Sequence, residues 1–244
     1  MKPKKITRVT KRCIPGVTLH PREGYYQVRH IGLTPQRVKT DPAFAPTRRQ
    51  AARFAHIIKC AKAIADALLP QTNKQHIMPR LIACLRKSVS NEQLLSPELA
   101  VNQWEALRQF ECSQQYPLHK VLKLDYPYTV DTLQPKCTLV LPACIPTAVI
   151  ESPPGATYAR IVAIQACLDL QQHTIQRTMA HTTIFPLKPL HIRPAALITE
   201  INSPNGTHHF LALSIQWYAR HNSNNTLQPL SLPVSAAIIK TWIS

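Results

Sequence analysis

The side chains that could do chemistry are mostly cations, and they crowd the first third of the chain. Residues 1–90 hold 19 Lys and Arg against three Asp and Glu, a net charge of +16, whereas residues 91–244 carry +1. Such a surface attracts phosphate groups or acidic protein patches, although a solvated, solubilising face is the plainer alternative. The residues predicted to contact a polyanion or another subunit are Lys2, Lys4, Lys5, Arg8, Lys11, Arg12, Arg37, Lys39, Arg48, Arg49, Lys59 and Lys62.

Metal coordination and acid–base catalysis are the other chemistries to weigh. Cys137 and Cys144 are seven residues apart, which is not a metal-knuckle spacing, and His208 and His209 would point to opposite faces of a strand. The few carboxylates stand singly, and the sequence contains no phosphate loop, dinucleotide-binding fingerprint or nucleophile elbow. We therefore expect that the chain is not an enzyme and that it has no catalytic residue, no cofactor and no metal site.

Asp41 is the one carboxylate placed among cations. It precedes Pro42 and is close in sequence to Arg37 and Arg48. A short acidic side chain before a proline accepts hydrogen bonds from the turn that follows or pairs with an arginine. The sequence therefore predicts a structural turn at Asp41, Pro42 and Phe44 that fixes the start of a helix.

A long helix must position these cations. Thr47 and Gln50 match the capping-box pattern, and Pro70 ends the helix because it has no amide hydrogen to donate. One face, repeating every three or four residues, is predicted to be apolar, and its members are Phe54, Ile57, Ile58, Ala61, Ile64, Ala65 and Leu68. A shorter stripe at 78–85 predicts a second helix, and Ser96-Pro97 is a typical start of a third.

The rest of the chain is predicted to form strands. With 22 prolines and five glycines, it favours short extended segments joined by stiff corners. The segment 158–170 is apolar at nearly every position, which indicates a strand covered on both faces. The C-terminal segment 236–243 is predicted to pair within the fold or to offer an edge to another chain. The strand regions are expected to start at 118–124 and to continue at 137–141, 158–170, 182–187, 197–201, 209–218, 227–232 and 236–243.

Together these patterns predict an α+β fold in which an N-terminal hairpin of two or three helices packs with a C-terminal antiparallel β-sandwich of about seven strands. The expected domains are a basic arm over 1–36, a helical region over 37–117 and a β-sandwich-like domain over 118–244.

Two phrases of the sequence resemble a known protein family. The first reads RVKTDPAF over Arg37–Phe44 and is followed by Thr47-Arg48 and the long helix, and the second reads PPGATYARI over Pro153–Ile161. In this order and spacing the chain resembles, over roughly residues 28–170, an uncharacterised family of small basic proteins from Bacteroidetes genomes. Glycines that members carry near the helix are alanine or bulkier residues here. The resemblance implies no activity, because none is established for the family.

Cysteine usage and the N-terminus bear on the compartment. Seven cysteines are scattered without clustering, which is typical of a reducing environment. The segment Met1–Lys5 is basic without an apolar run, and no stretch approaches the length of a membrane span. We expect a cytoplasmic protein, or one released or exported without a classical signal peptide.

Two functional hypotheses follow. The first is a structural subunit that self-assembles into a filament, tube or shell through its basic arm and edge strands. The alternative is a protein that binds nucleic acid without sequence specificity through the basic first third. The first predicts a homo-oligomer or polymer, the second a nucleic-acid or other polyanionic partner, and neither needs a membrane span.

Overall fold

The computed structural model describes residues 17–22, 25–30, 34–68, 74–87, 104–131, 136–169, 174–202, 207–220, 226–230, 232 and 234–243. For 17–30 and 74–75 it describes the backbone alone. Contacts within the chain group it into two compact units, residues 1–52 and residues 53–244. The predicted domain limits after residues 36 and 117 stay predictions. The six cations of the arm before residue 17 lie outside the described ranges.

The first unit contains a β-hairpin followed by a short helix. β1 (Val17–Arg22) and β2 (Tyr25–His30) pair antiparallel. α1 (Pro35–Thr40) follows. The hydroxyl of Thr34 accepts the backbone N–H of Arg37 at 3.2 Å and so caps the first turn of α1.

The long helix α2 (Ala45–Leu68) begins two residues before Thr47, the predicted cap. A 3-10 helix (Pro42–Phe44) replaces the irregular segment expected there and leads directly into α2. The Asp41 carboxylate caps this turn by accepting the N–H of Ala43 at 2.9 Å. The prediction of a cap at Thr47 was wrong, because a carboxylate farther upstream already starts the helical turns.

The second unit includes α2 from residue 53 onward, and this part buries one side. Its buried residues are Ile57, Cys60, Ala61, Ile64, Ala65, Ala67 and Leu68. Ile58 is half-buried, and the side chain of Phe54 is 46% exposed. The prediction that Phe54 faces the core was wrong, because the apolar cluster under the helix begins one turn later, at Ile57.

The next helix, α3 (Lys74–Lys87), repeats this arrangement. Ile77, Leu81 and Leu85 lie four residues apart and are completely buried, so they form one stripe. The helix predicted to start at Ser96 falls outside the described residues. The two helices α2 and α3 supply the helical layer expected for the fold.

Seven strands form the larger sheet in the described part of the chain, and all the pairs are antiparallel. The order is β3-β12-β10-β6-β7, with β11 paired to β10 and β8 to β6. The strands are β3 (Phe110–Glu111), β6 (Tyr158–Asp169), β7 (Thr174–His181), β8 (Phe185–Pro186), β10 (His208–Arg220), β11 (Leu227–Pro229) and β12 (Ser235–Ile243).

A smaller antiparallel sheet has the order β4-β5-β9. Its strands are β4 (Tyr128–Asp131), β5 (Lys136–Leu141) and β9 (Ala195–Glu200). Two single-turn helices, α4 (Leu118–Val121) and α5 (Pro146–Val149), lie in its connections.

The larger sheet is the middle of three layers, because its strands alternate between two apolar clusters. Val162 and Ile164 of β6 pack with α2 and α3, whereas Ile161 and Ala163 pack with the smaller sheet. Nearly every residue of β6 is buried, as its apolar run predicted. Arg177 of β7 also donates to the carbonyls of Asp66 (3.3 Å) and Ala67 (3.4 Å), and so ties the last turn of α2 to the sheet.

The α+β prediction, with helices first and antiparallel sheets after them, is confirmed. Several details differ, among them the strand at 128–131, which the sequence did not predict. The segment 118–121 is helical rather than extended, the segment 174–181 forms a strand that the sequence did not predict, and only 185–186 is a strand within 182–187. The segment 174–181 alternates between exposed and half-buried positions, so it lacks the continuous apolar run that marks a central strand.

Candidate functional site

The predicted turn residues form a hydrogen-bonded cluster at the start of α2. The Asp41 carboxylate accepts from the Ala43 N–H and, at 3.2 Å, from Arg37 Nε. The Arg37 guanidinium also lies over the Phe44 ring, 5.8 Å from its centroid. The Ala43 N–H and then the Arg37 side chain lower the pKa of Asp41, so the carboxylate is ionised at neutral pH.

Arg48 belongs to the same cluster. Its side chain is half-buried, and Nη1 donates to the carbonyl oxygens of Val38 and Asp41, each at 2.8 Å. Arg37 and Arg48 were both predicted as contacts for a polyanion or a subunit. In the structure their hydrogen bonds hold the turn together, so much of their donor capacity is used within the first unit.

The other predicted contact residues are dispersed. Lys39 and Arg49 are exposed in the first unit, and Lys59 and Lys62 are exposed on α2 in the second. Lys59 and Lys62 lie three residues apart and line the same cleft of the second unit, whereas Lys39 and Arg49 belong to the first unit. The remaining predicted contacts lie outside the described residues, namely Lys2, Lys4, Lys5, Arg8, Lys11 and Arg12.

A cleft of about 330 Å³ lies between α2 and the β6–β7 edge. Lys59, Lys62 and Asp66 of the helix line one wall, and Asp169 and Thr174 line the other. Because both signs of charge face the same space, this cleft is not a purely cationic groove for a polyanion.

The smaller sheet carries an exposed apolar surface that we call the outer face. It consists of Thr129, Thr138, Val140, Ala196 and Ile198, which alternate with core residues along their strands. Val140 is 41% exposed and Ile198 53% exposed. Thr138 lies opposite Ile198, and Val140 lies opposite Ala196, so the uncharged side chains are contiguous. The sequence signal was weak, because Val140 is the one apolar residue on the outward face of β5, between Leu139 and Leu141 of the core.

The outer face ends at edge strands of the smaller sheet. β4 and β9 end this sheet, β3 and β7 end the larger one, and β7 and β9 contact each other; the described residues pair no further strand with any of the four. The C-terminal strand β12 is different, because β10 pairs it on one side and β3 pairs Ala237 and Ile238 on the other. At those two positions the edge that the C-terminus was expected to offer to another chain is already occupied.

Two adjacent histidines begin β10 and point to opposite faces, as the strand period predicted. His208 meets the edge of the Trp104 ring at 5.1 Å, whereas His209 stacks on Trp242 at 5.1 Å. His209 Nε2 lies 3.0 Å from the hydroxyl of Thr207. Burial and then the neighbouring His208 lower the pKa of His209 to about 4, so it is neutral near pH 7. Across the described ranges, no three His, Cys, Asp or Glu side chains cluster closely enough to hold a metal ion.

Burial also controls the protonation state of three cysteines. It raises the pKa of the Cys60, Cys112 and Cys137 thiols to about 12. A thiol with this pKa stays protonated near neutral pH, and the thiolate is the nucleophile in cysteine chemistry. These three side chains therefore serve as small core residues.

In comparisons with known proteins, no family model matches the chain, and no curated protein or solved structure matches it. Among the described helices, none is both long and apolar enough to cross a membrane.

Proposed function

We propose that this chain is a structural subunit that assembles with copies of itself, and that the outer face of the smaller sheet makes the contact. The observation that carries the proposal is the exposure of Val140 on β5 and of Ile198 on the edge strand β9, which are diagonal neighbours in the register. An exposed apolar face packs against another protein surface, and the backbone N–H and C=O groups of an edge strand can pair with a strand of a neighbouring chain.

A second copy suits this surface because the outer face carries both signs of charge at one end. Lys136 and Glu200 lie opposite each other in the register of β5 and β9, beyond the uncharged centre. A contact with another copy can therefore bury the apolar centre while charges of opposite sign meet at its rim. A strongly acidic or strongly basic partner lacks this match.

Edge strands that belong to two different sheets support a repeating arrangement. β7 belongs to the larger sheet and β9 to the smaller one, so the two edges are not equivalent. Contacts between different surfaces of identical subunits generate rings or open filaments, whereas contacts between identical surfaces close as dimers. The filament, tube or shell anticipated from the sequence remains part of this proposal.

Sedimentation and electron microscopy over a range of protein concentrations test it. The full chain should form concentration-dependent oligomers, and Ile198→Lys should shift them toward monomer because the buried contact would have to accept an unpaired charge. Leu190→Lys is the matched control, since Leu190 is 57% exposed but lies outside the strands of this sheet. Monomers at every concentration, or an equal effect of both substitutions, would overturn the proposal.

Nucleic-acid binding is the second candidate, favoured by the exposure of Lys59 and Lys62 on one helix. A gel-shift titration over salt tests it, because affinity for a polyanion falls steeply as salt rises. Replacing both lysines with Gln should reduce the salt slope by about 1 for each phosphate that the variant no longer binds. Lys188→Gln, an exposed cation on a connection, is the control, and an unchanged slope in the double variant would exclude this surface.

A further inference from the structure

Five side chains of β6 and β10 form a cluster that we call the arginine platform: Tyr158, Arg160, Gln216, Tyr218 and Arg220. Tyr158 pairs with Tyr218 in the register of the two strands, and Arg160 pairs with Gln216. Because side chains two residues apart share a face, all five project from the same side of the sheet. This is the side that packs under α2 and α3 farther along the strands, where the described apolar cluster ends at Val162 and Ala212.

Each arginine crosses to the tyrosine of the opposite strand. The Arg160 guanidinium carbon lies 5.6 Å from the centroid of the Tyr218 ring, and that of Arg220 lies 5.4 Å from the centroid of the Tyr158 ring. These distances are typical of cation–π contacts. Since Tyr158 and Tyr218 are direct cross-strand neighbours, the two positive charges converge on one pair of rings.

Hydrogen bonds fix the direction of both guanidiniums. Arg160 donates to Gln216 Oε1 from Nε at 3.0 Å and from Nη2 at 2.6 Å, and the Tyr218 hydroxyl donates to the same oxygen at 3.0 Å. Arg220 Nη2 lies 2.6 Å from the hydroxyl oxygen of Tyr158 and donates to it. A guanidinium has more N–H groups than these bonds use, so donors remain for a ligand.

The charges of the platform lack a carboxylate among the described residues. The ion pairs there involve Asp41, Glu111 and Glu151, and neither Arg160 nor Arg220 takes part in them. Both guanidiniums lie over the paired rings of Tyr158 and Tyr218, and a bound anion would offset the positive charge that they bring there. A phosphate group suits the position, because its several oxygens can accept from two arginine forks at once.

We propose that the arginine platform binds the phosphate group of a ligand, with Arg160 and Arg220 as the donors that contact it. Tyr158, Tyr218 and Gln216 are positioning residues that orient the two guanidiniums. The site lies in the near-neutral part of the sequence and is independent of the surface proposed for assembly.

Calorimetric titration of the full chain, dialysed free of phosphate, with inorganic pyrophosphate and with a thymidine oligonucleotide tests the proposal. We expect saturable binding of at least one probe, weakened about tenfold or more by Arg220→Gln and by Arg160→Gln, since hydrogen bonds to charged groups are strong. Arg220 is exposed, so its replacement leaves the fold intact. Arg193→Gln removes one charge at another exposed position and should leave binding unchanged.

The two probes separate the sources of the phosphate. Arginine-dependent binding of pyrophosphate alone assigns a small phosphate ester, and binding of the oligonucleotide alone assigns a nucleic-acid phosphodiester. Binding that is equally strong in the Arg160, Arg220 and Arg193 variants, or no binding of either probe, would overturn the proposal, with folding of each variant confirmed by circular dichroism.

Discussion

Two arginine clusters in this protein use the same side chain in opposite ways. In the turn before α2, Arg48 donates to two backbone carbonyls and Arg37 pairs with the Asp41 carboxylate. In the arginine platform, Arg160 and Arg220 rest on tyrosine rings and bond to neutral oxygens. Both clusters place an arginine over a ring, Arg37 over Phe44 in the first, but among the described residues only the first cluster contains a carboxylate.

The difference shows why a count of charges does not locate a binding surface. The turn cluster lies in the region of net charge +16, and the platform lies in the region of net charge +1. If an arginine that donates to backbone carbonyls turns toward a ligand, those hydrogen bonds break and the fold loses their contribution to its stability. An arginine held over a ring by hydrogen bonds to neutral side chains has its direction fixed already and loses less conformational freedom on binding.

The largest effect should come from His209, a polar side chain that the core removes from water completely. The pKa of His209 is about 4 in the fold and is ordinarily near 6.5, so the unfolded chain takes up a proton first as the pH falls. Stability is therefore complete above pH 6.5 and is lost progressively toward pH 4, by as much as ~3 kcal/mol.

Urea unfolding at pH 7 and at pH 4.5 measures this loss. His209→Gln should flatten the pH dependence, whereas His191→Gln, at an exposed position, should not. If the two variants have the same pH dependence, burial of His209 is not its source.

An intermediate effect should separate the two arginine clusters. Arg48→Met leaves the carbonyls of Val38 and Asp41 without their donor, and we expect the start of α2 to lose about 2 kcal/mol. Amide hydrogen exchange at the start of α2 measures the loss. The same substitution should leave pyrophosphate binding unchanged.

Arg160→Lys should do the reverse. A lysine keeps the charge but lacks the planar fork, so pyrophosphate affinity should fall while hydrogen exchange at the start of α2 stays the same. If both variants changed both properties, the contrast between the clusters would be wrong.

The smallest effect on stability is expected for Asp41→Asn. The amide keeps an oxygen that can accept the Ala43 N–H, but it loses the charge that pairs with Arg37. Exposed ion pairs contribute little, so we expect slightly faster hydrogen exchange in the 3-10 helix that follows. Folding lowers the pKa of Asp41, so its carboxylate is protonated only when the pH falls through that lowered pKa. At that pH, hydrogen exchange in the 3-10 helix of the unmodified chain should also become faster. Asp41→Asn should abolish this pH response.

Much of the fold was readable from the sequence because it depends on periodic burial. The continuous apolar run at 158–170 predicted a strand covered on both faces, and the stripe from Phe54 to Leu68 predicted the buried side of α2 except at Phe54, which is exposed. The cap of α2 was misread at Thr47, because Thr47 and Gln50 match the capping-box pattern although α2 begins two residues earlier. The turn predicted at Asp41 caps the preceding 3-10 helix through the Ala43 N–H.

The candidate surfaces were less predictable. The strands that hold Val140 and Ile198 were predicted, but which of their faces is covered depends on the layer above them. The residues of the platform alternate along their strands, and this pattern is visible in the sequence: Tyr158 with Arg160, and Gln216 with Tyr218 and Arg220. That the two sets form one cluster follows only from the register between β6 and β10.

The sequence by itself determined which segments form the helices and the main strands, because alternation and helical spacing are local properties of the chain. Only the tertiary structure decided which charges are paired, which strand edges are covered and which arginines meet the same rings. Those outcomes depend on contacts between residues far apart in sequence, such as Arg160 with Gln216, and local patterns do not encode such distances.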